Sequence, residues 1–393
     1  MKATGLGLFL TAFLWMVPAP ADCSFTYTDI HPSGWTESHA VCVNGTGGVV
    51  GYGTAESGER GFFWKSGAFS EILPPGASSA RATWINSRGE VSGTAVIGGV
   101  RRAFLYRDGV YLDPTPGWVF SEAAHVAEDG AVGGTGEFGG YISRNGVTEL
   151  LPGFTRVVGA NLAGQVLGSA ENTVRLFLPG VGYIPIHPPG TTATVPGGLN
   201  DSGLAAVSSR QGDSEEGFVY SGGFYVFMTP PGWSSSNAMA INNNAQVVGY
   251  GLSPAGRRSF LRSGPAYQEI SFPGWKATEA VSVNDPGQVA GSGETATGER
   301  HAFVASPAVS NGTGEPAGAA SGDAAGGGGC SMASTGYAAH RPTSWANLIV
   351  LFLPLLFPLC LRYMTSSPVQ SRQCSFLGRG VNFLSSEDQI GKP

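Results

Sequence analysis

The sequence predicts an all-β fold, a seven-bladed β-propeller closed by an N-terminal outer strand, followed by a C-terminal transmembrane helix. Three observations predict it. An asparagine-centred turn recurs about every 40 residues, a period typical of propeller blades. Four short strand signals follow one another within each period. An orphan strand signal ahead of the first period matches the one missing from the last.

Composition points the same way. Only 13% of the 393 residues are charged, about half the usual share, while 61 glycines and 26 prolines accompany a 42% hydrophobic content. Such a chain is rich in short strands and turns, and is neither a helical bundle nor disordered. The net charge of −6 and the absence of any basic stripe exclude a nucleic-acid partner.

At the start of the chain, Lys2, an apolar run over residues 5–17 and the small triplet Ala19-Pro20-Ala21 read as a signal peptide, residues 1–21. Cys23 lies close to that cleavage point, but Asp22 stands where a lipoprotein site wants a small residue.

The repeat region, residues 22–304, opens with the orphan strand signal at 27–35. It is followed by VNGTGGVVG at Val43, INSRGEVSG at Ile85, ANLAGQVLG at Ala160, INNNAQVVG at Ile241 and VNDPGQVAG at Val283. Degenerate copies at Val126 and Leu199 fill the gaps. The asparagine position thus falls at Asn44, Asn86, Ala127, Asn161, Asn200, Asn242 and Asn284, with intervals of 42, 41, 34, 39, 42 and 42. A small residue four places upstream (Ala40, Ala82, Ala123, Ala238, Ala280) suits an innermost strand crowded around an axis. A Val-rich strand, an aromatic strand such as GFFW at Gly61, and a last strand ending in Pro-Gly complete each copy. Short intervening turns make neighbouring strands antiparallel hairpins. The last copy ends at Val304 without its fourth strand, so residues 27–35 supply it and remove an open edge.

Residues 305–344 form a Gly/Ala-rich linker whose first 25 residues hold eight glycines, seven alanines and one branched apolar residue, Val309. Residues 345–361 are uncharged and read as a transmembrane helix, with Arg362, Arg372 and Arg379 placing the preceding chain outside. Residues 362–393 make a short tail without a core pattern. The order of glycine run (326–329), Cys330, apolar helix and Arg362 resembles bacterial cysteine-containing C-terminal sorting signals of the MYXO-CTERM and JDVT-CTERM kind. That resemblance implies Cys330 as the lipid or sorting attachment point. The turn IN-x-x-G-QVVG together with His301-Ala302-Phe303 resembles the HAF repeats of bacterial extracellular proteins. This resemblance implies an extracellular location but no general activity.

Motifs that carry chemistry are scarce. The six histidines are scattered, no H-E-x-x-H or paired Cys-x-x-Cys spacing exists for a metal, and no calcium loop, nucleophile elbow or Walker loop is present. No catalytic residue, metal or cofactor is therefore assigned. The repeated asparagines read as turn formers. Cys23 and Cys42 could pair in a secreted chain, although they fall on different blades. One pattern suits recognition: the loop from each outer strand to the next inner strand carries Trp35, Trp118, Phe154, Trp233 or Trp275 in five copies. These rings are either a rim for a glycan or protein ligand, or packing between blades. The resulting expectation is a secreted, membrane-tethered, non-catalytic propeller for binding or display. The alternatives are a propeller-type lyase or hydrolase using the central funnel, and a purely structural envelope protein.

Overall fold

The computed structural model describes residues 24–308, which are all-β. The chain order is β1 (Phe25–Asp29), β2 (Glu37–Val43), β3 (Val49–Ala55), β4 (Gly58–Lys65), β5 (Ala68–Ile72), β6 (Ala77–Ile85), β7 (Val91–Ile97), β8 (Val100–Arg107) and β9 (Val110–Leu112). It continues with β10 (Ser121–Val126), β11 (Val132–Gly136), β12 (Gly139–Arg144), β13 (Val147–Leu150), β14 (Arg156–Ala160), β15 (Val166–Ala170), β16 (Thr173–Leu178) and β17 (Gly182–Ile186). The remainder are β18 (Ala193–Leu199), β19 (Ala205–Gln211), β20 (Ser214–Ser221), β21 (Phe224–Met228), β22 (Ser235–Ile241), β23 (Val247–Ser253), β24 (Gly256–Ser263), β25 (Ala266–Ile270), β26 (Ala277–Val283), β27 (Val289–Glu294) and β28 (Arg300–Pro307).

Consecutive strands pair antiparallel into four-stranded meanders beginning at β6, β10, β14, β18 and β22. An eight-stranded sheet joins β26-β27-β28 to β2-β3-β4-β5 through a single parallel bridge, Glu37 to Arg300. The orphan strand pairs with the last strand as the sequence places it, but it covers Phe25–Asp29, and residues 30–35 are loop and turn rather than the expected strand over 27–35. β1 pairs antiparallel with β28, Phe25 opposite Pro307 through Asp29 opposite Phe303, and Ala308 N donates to Ser24 O just beyond. β28 runs to Pro307, three residues past the expected end of the repeat region at Val304. Ala305 is buried between Val289 on one side and Tyr27 on the other, and those two partners hold it in the sheet.

Two glycines of the repeated motif have different physical duties. The glycine three places after the asparagine closes a turn at positive φ, as Gly47 and Gly89 do by donating to Asn44 O and Asn86 O. The glycine seven places after it faces a bulge in the inner strand. Between Ala40 and Cys42 the register slips, and a Cβ on Gly51 would lie 1.9 Å from His39 O. The third strand then sends one aromatic ring into the core of most repeats: Phe62, Phe104, Tyr141, Phe218, Phe260 and Phe303 are all buried.

The asparagines do more than form turns. Asn44 Oδ1 accepts from Thr46 N and Gly48 N, which fixes its own turn, while Asn44 Nδ2 donates to Asn86 O in the next repeat at 3.0 Å. The same link runs from Asn86 to Ala127 O, Asn161 to Asn200 O, Asn200 to Asn242 O and Asn242 to Asn284 O. Asn284 returns to Asn44 O at 2.8 Å across 240 residues. The chain of amides closes on itself, broken only where Ala127 has no amide to give. A second seam device lies six residues before the asparagine. Ser38, Ser121, Thr194, Ser236 and Thr278 accept a backbone N–H from the third strand of the preceding repeat.

Candidate functional site

The inner strands β2, β6, β10, β14, β18, β22 and β26 end around one cavity of about 480 Å³. Two rings of residues shape it. Two places before the asparagine position stand Cys42, Trp84, His125, Gly198, Ala240 and Ser282, so one wall carries the large or polar side chains and the opposite wall is small. One place after the asparagine position, at the mouth, stand Glu128, Asp201 and Asp285 with Ser87 and Asn243 between them.

The mouth is hydrogen-bonded and uncompensated in charge. Asn243 Nδ2 donates to Asp201 Oδ2 at 3.0 Å and to Asp285 Oδ2 at 3.3 Å, and Ser87 donates from N and Oγ to Glu128. No Lys or Arg lines the cavity, and none of these three carboxylates has an ion-pair partner among the described residues.

On the wall, His125 is 7% exposed and its ring lies 4.7 Å from the indole of Trp84. Desolvation lowers its pKa to about 4, opposed weakly by Asp129, so the imidazole is neutral at pH 7. Cys42 is buried and its thiol donates to Ile85 O at 3.7 Å. Burial pushes its pKa up to about 11, so it is no thiolate, and Cys23, its suggested partner, lies outside the described residues.

The aromatic loop positions make ring contacts within the fold. Trp35 meets Phe62 and Phe69 edge-on at 6.1 and 5.4 Å, Trp118 meets Phe138 and Tyr141, Trp233 meets Phe260, and Trp275 stacks on Phe272 at 4.1 Å. Three of the rings cover a glycine: a Cβ on Gly53, Gly136 or Gly293 would meet Trp35, Trp118 or Trp275 within 2.6 Å. The four tryptophans are half-buried. Phe154 is 3% exposed inside the seam between β10–β13 and β14–β17 and is corrected from ligand contact to core, because a ring without a free face cannot stack on a ligand.

Sequence reasoning expected Ala, Val and Asn on the inner strands and overlooked His125, Glu128, Asp201 and Asp285. The signal was available: one histidine at an otherwise small or uncharged position, and an acidic residue directly after the asparagine position in three copies. The scattered histidines also partly converge. His31 and His301 stack at 3.8 Å where β1 meets β28, with His301 Nδ1 on Asp29 at 2.8 Å and His31 Nε2–H donating to Trp35 O at 3.0 Å. Cys330 and the segments expected as signal peptide, most of the linker, transmembrane helix and tail lie outside the described residues.

No known protein family matches the chain, and no curated protein matches it. Solved structures do. Virginiamycin B lyase from Staphylococcus aureus is 14% identical, with 72% of this chain covered, 99% of that chain and a TM-score of 0.48. The β-propeller domain of the Trilobed protease from Pyrococcus furiosus is 11% identical over 69% of this chain and 94% of its own, TM-score 0.47. YCF48 bound to D1 peptide is 11% identical over 74% and 100%, TM-score 0.46.

Proposed function

We propose that the chain is a secreted, membrane-tethered, seven-bladed β-propeller that binds a ligand without transforming it. The blade count rests on reading the eight-stranded sheet as two blades, β2–β5 and β26–β28 with β1, joined by one bridge. Secretion rests on residues 1–21, and tethering on the apolar run 345–361 with Cys330 before it.

The observation that carries the non-catalytic reading is the state of the thiol and imidazole at the cavity, neither of which shares a hydrogen bond with the carboxylates at its mouth. The Cys42 thiol is buried and its pKa raised, and the His125 imidazole is held neutral without a carboxylate to orient it. The asparagines are committed to the ring of amides. A lyase or hydrolase needs a nucleophile or base aligned with a second polar group. Purified full-length protein applied to glycan and peptide arrays, beside a panel of lyase and hydrolase substrates, should bind without turnover. Turnover that His125→Asn abolishes would overturn this reading. Fractionation of the native host should find the protein in membranes, released when residues 345–361 are deleted.

A further inference from the structure

We propose that the central cavity is a binding site for a small organic cation, an ammonium group carried on a compact apolar body. This rests on the binding reading above and deepens it.

Four observations converge. The mouth carries Glu128, Asp201 and Asp285, and no Lys or Arg lines it, so a positive group entering there meets three carboxylates without an ion-pair partner among the described residues. Behind them, the half-buried Trp84 lines the same cavity, and an indole face attracts an ammonium within about 6 Å of its centroid. His125, more than nine-tenths buried, also lines the cavity and makes no hydrogen bond to any described residue, so a donor and an acceptor await a ligand there. Being neutral, it does not repel a cation.

The fourth observation is asymmetry. Gly198 and Ala240 stand opposite Trp84 and His125 at equivalent repeat positions, so the room in the cavity is made on one side and the recognition groups on the other. A purely structural axis would repeat one small residue around the ring. The volume falls in the range of about 300–1,000 Å³ usual for small-molecule sites, and Leu162 and Leu199 add apolar lining for the ligand body.

The test is a calorimetric titration of the full-length protein at pH 7 and low salt with phenethylammonium chloride, beside neutral 2-phenylethanol and calcium chloride. Saturable binding of phenethylammonium is expected, at least tenfold weaker in the Asp201→Asn/Asp285→Asn double variant and in Trp84→Leu, with no comparable binding of 2-phenylethanol. The double variant keeps amide oxygens for Asn243 on an exposed rim, so it tests charge even if Trp84→Leu fails to fold. Absence of saturable binding, equal binding of the alcohol, an unaffected double variant, or displacement of the amine by calcium would each overturn the assignment. Proton NMR of the same mixture separates the two readings: an amine that binds and is consumed contradicts the non-catalytic function, whereas an amine that does not bind contradicts only the cavity site.

Discussion

The seam where the first and last described strands meet and the seam after the third repeat are held together by different means. At the first, β1 pairs with β28, Asn284 Nδ2 reaches Asn44 O, Ala302 N donates to Ser38 Oγ, and His31 stacks on His301. At the second, Ala127 offers no amide to Asn161. Asp129 Oδ1 takes over one of the missing duties by accepting from Ala131 N at 3.0 Å, and Thr135 Oγ1 donates to Thr155 O at 2.7 Å. Packing of Ile142, Leu151, Phe154, Val157 and Val166 covers the rest. An amide link can thus be lost where local packing substitutes for it. A whole outer strand has no substitute, because its absence exposes the backbone of β28 along five paired residues.

The largest effect should follow from breaking the first seam outright. Deletion of residues 25–35 removes β1, His31 and Trp35 together, and calorimetry should show loss of the single cooperative transition or a melting temperature lowered by more than about 10 °C. A deletion variant that melts like the parent would mean that the closing strand is ornamental.

Acid should act through the histidines next. Burial depresses the folded-state pKa of His125 to about 4, and His31 and His39 are lowered too, chiefly by desolvation. The unfolded chain therefore binds protons first. Stability is fully present above about pH 6.5 and is lost as pH falls from there towards 4, the His125 share being about 3 kcal/mol. Chemical denaturation between pH 7 and 4 should show this decline, and His125→Leu should remove most of its share. Glu90, Asp129 and Glu215 are held below the usual carboxylate range, so their contribution is lost only at lower pH.

The asparagine links sharpen the comparison at smaller scale. Asn242→Ala strips acceptors from Asn244 N and Gln246 N and the donor from Asn284 O, and should cost about 1–3 kcal/mol in urea unfolding. The reciprocal change, Ala127→Asn, should restore the missing link and add about 1 kcal/mol. A destabilising Ala127→Asn would show that the packing there has no space for the amide.

Much of this ring was legible in the sequence because its devices repeat. The 34 to 42 residue spacing of Asn44 through Asn284, the Val-x-Gly strand and the orphan strand before Trp35 recur or match, and periodicity reads them without knowledge of distance. The cavity was not legible, because its recognition groups are the positions where the repeats disagree. His125 and Trp84 each occur once at that repeat position, and only the ring brings them to the same cavity as Asp201 and Asp285 from remote repeats. The half-buried tryptophans were ambiguous for a related reason. Their loops recur, but whether a ring lies over Gly53 or Gly293 or faces solvent depends on the neighbouring strand.

Closure by β1 is tested most directly by a cross-link across it. Thr26 lies opposite Ser306 in the β1–β28 register, with Thr26 Oγ1 donating to Ser306 O at 3.3 Å. Under mild oxidation, the Thr26→Cys/Ser306→Cys variant should form an intramolecular disulfide in nearly all molecules and melt higher than its reduced form, because the bond closes a loop of 280 residues in the unfolded chain. Thr26→Cys with a cysteine at Val289, which lies across β28 from β1, should not form it. Failure of the first pair to cross-link in folded protein would contradict the closed ring.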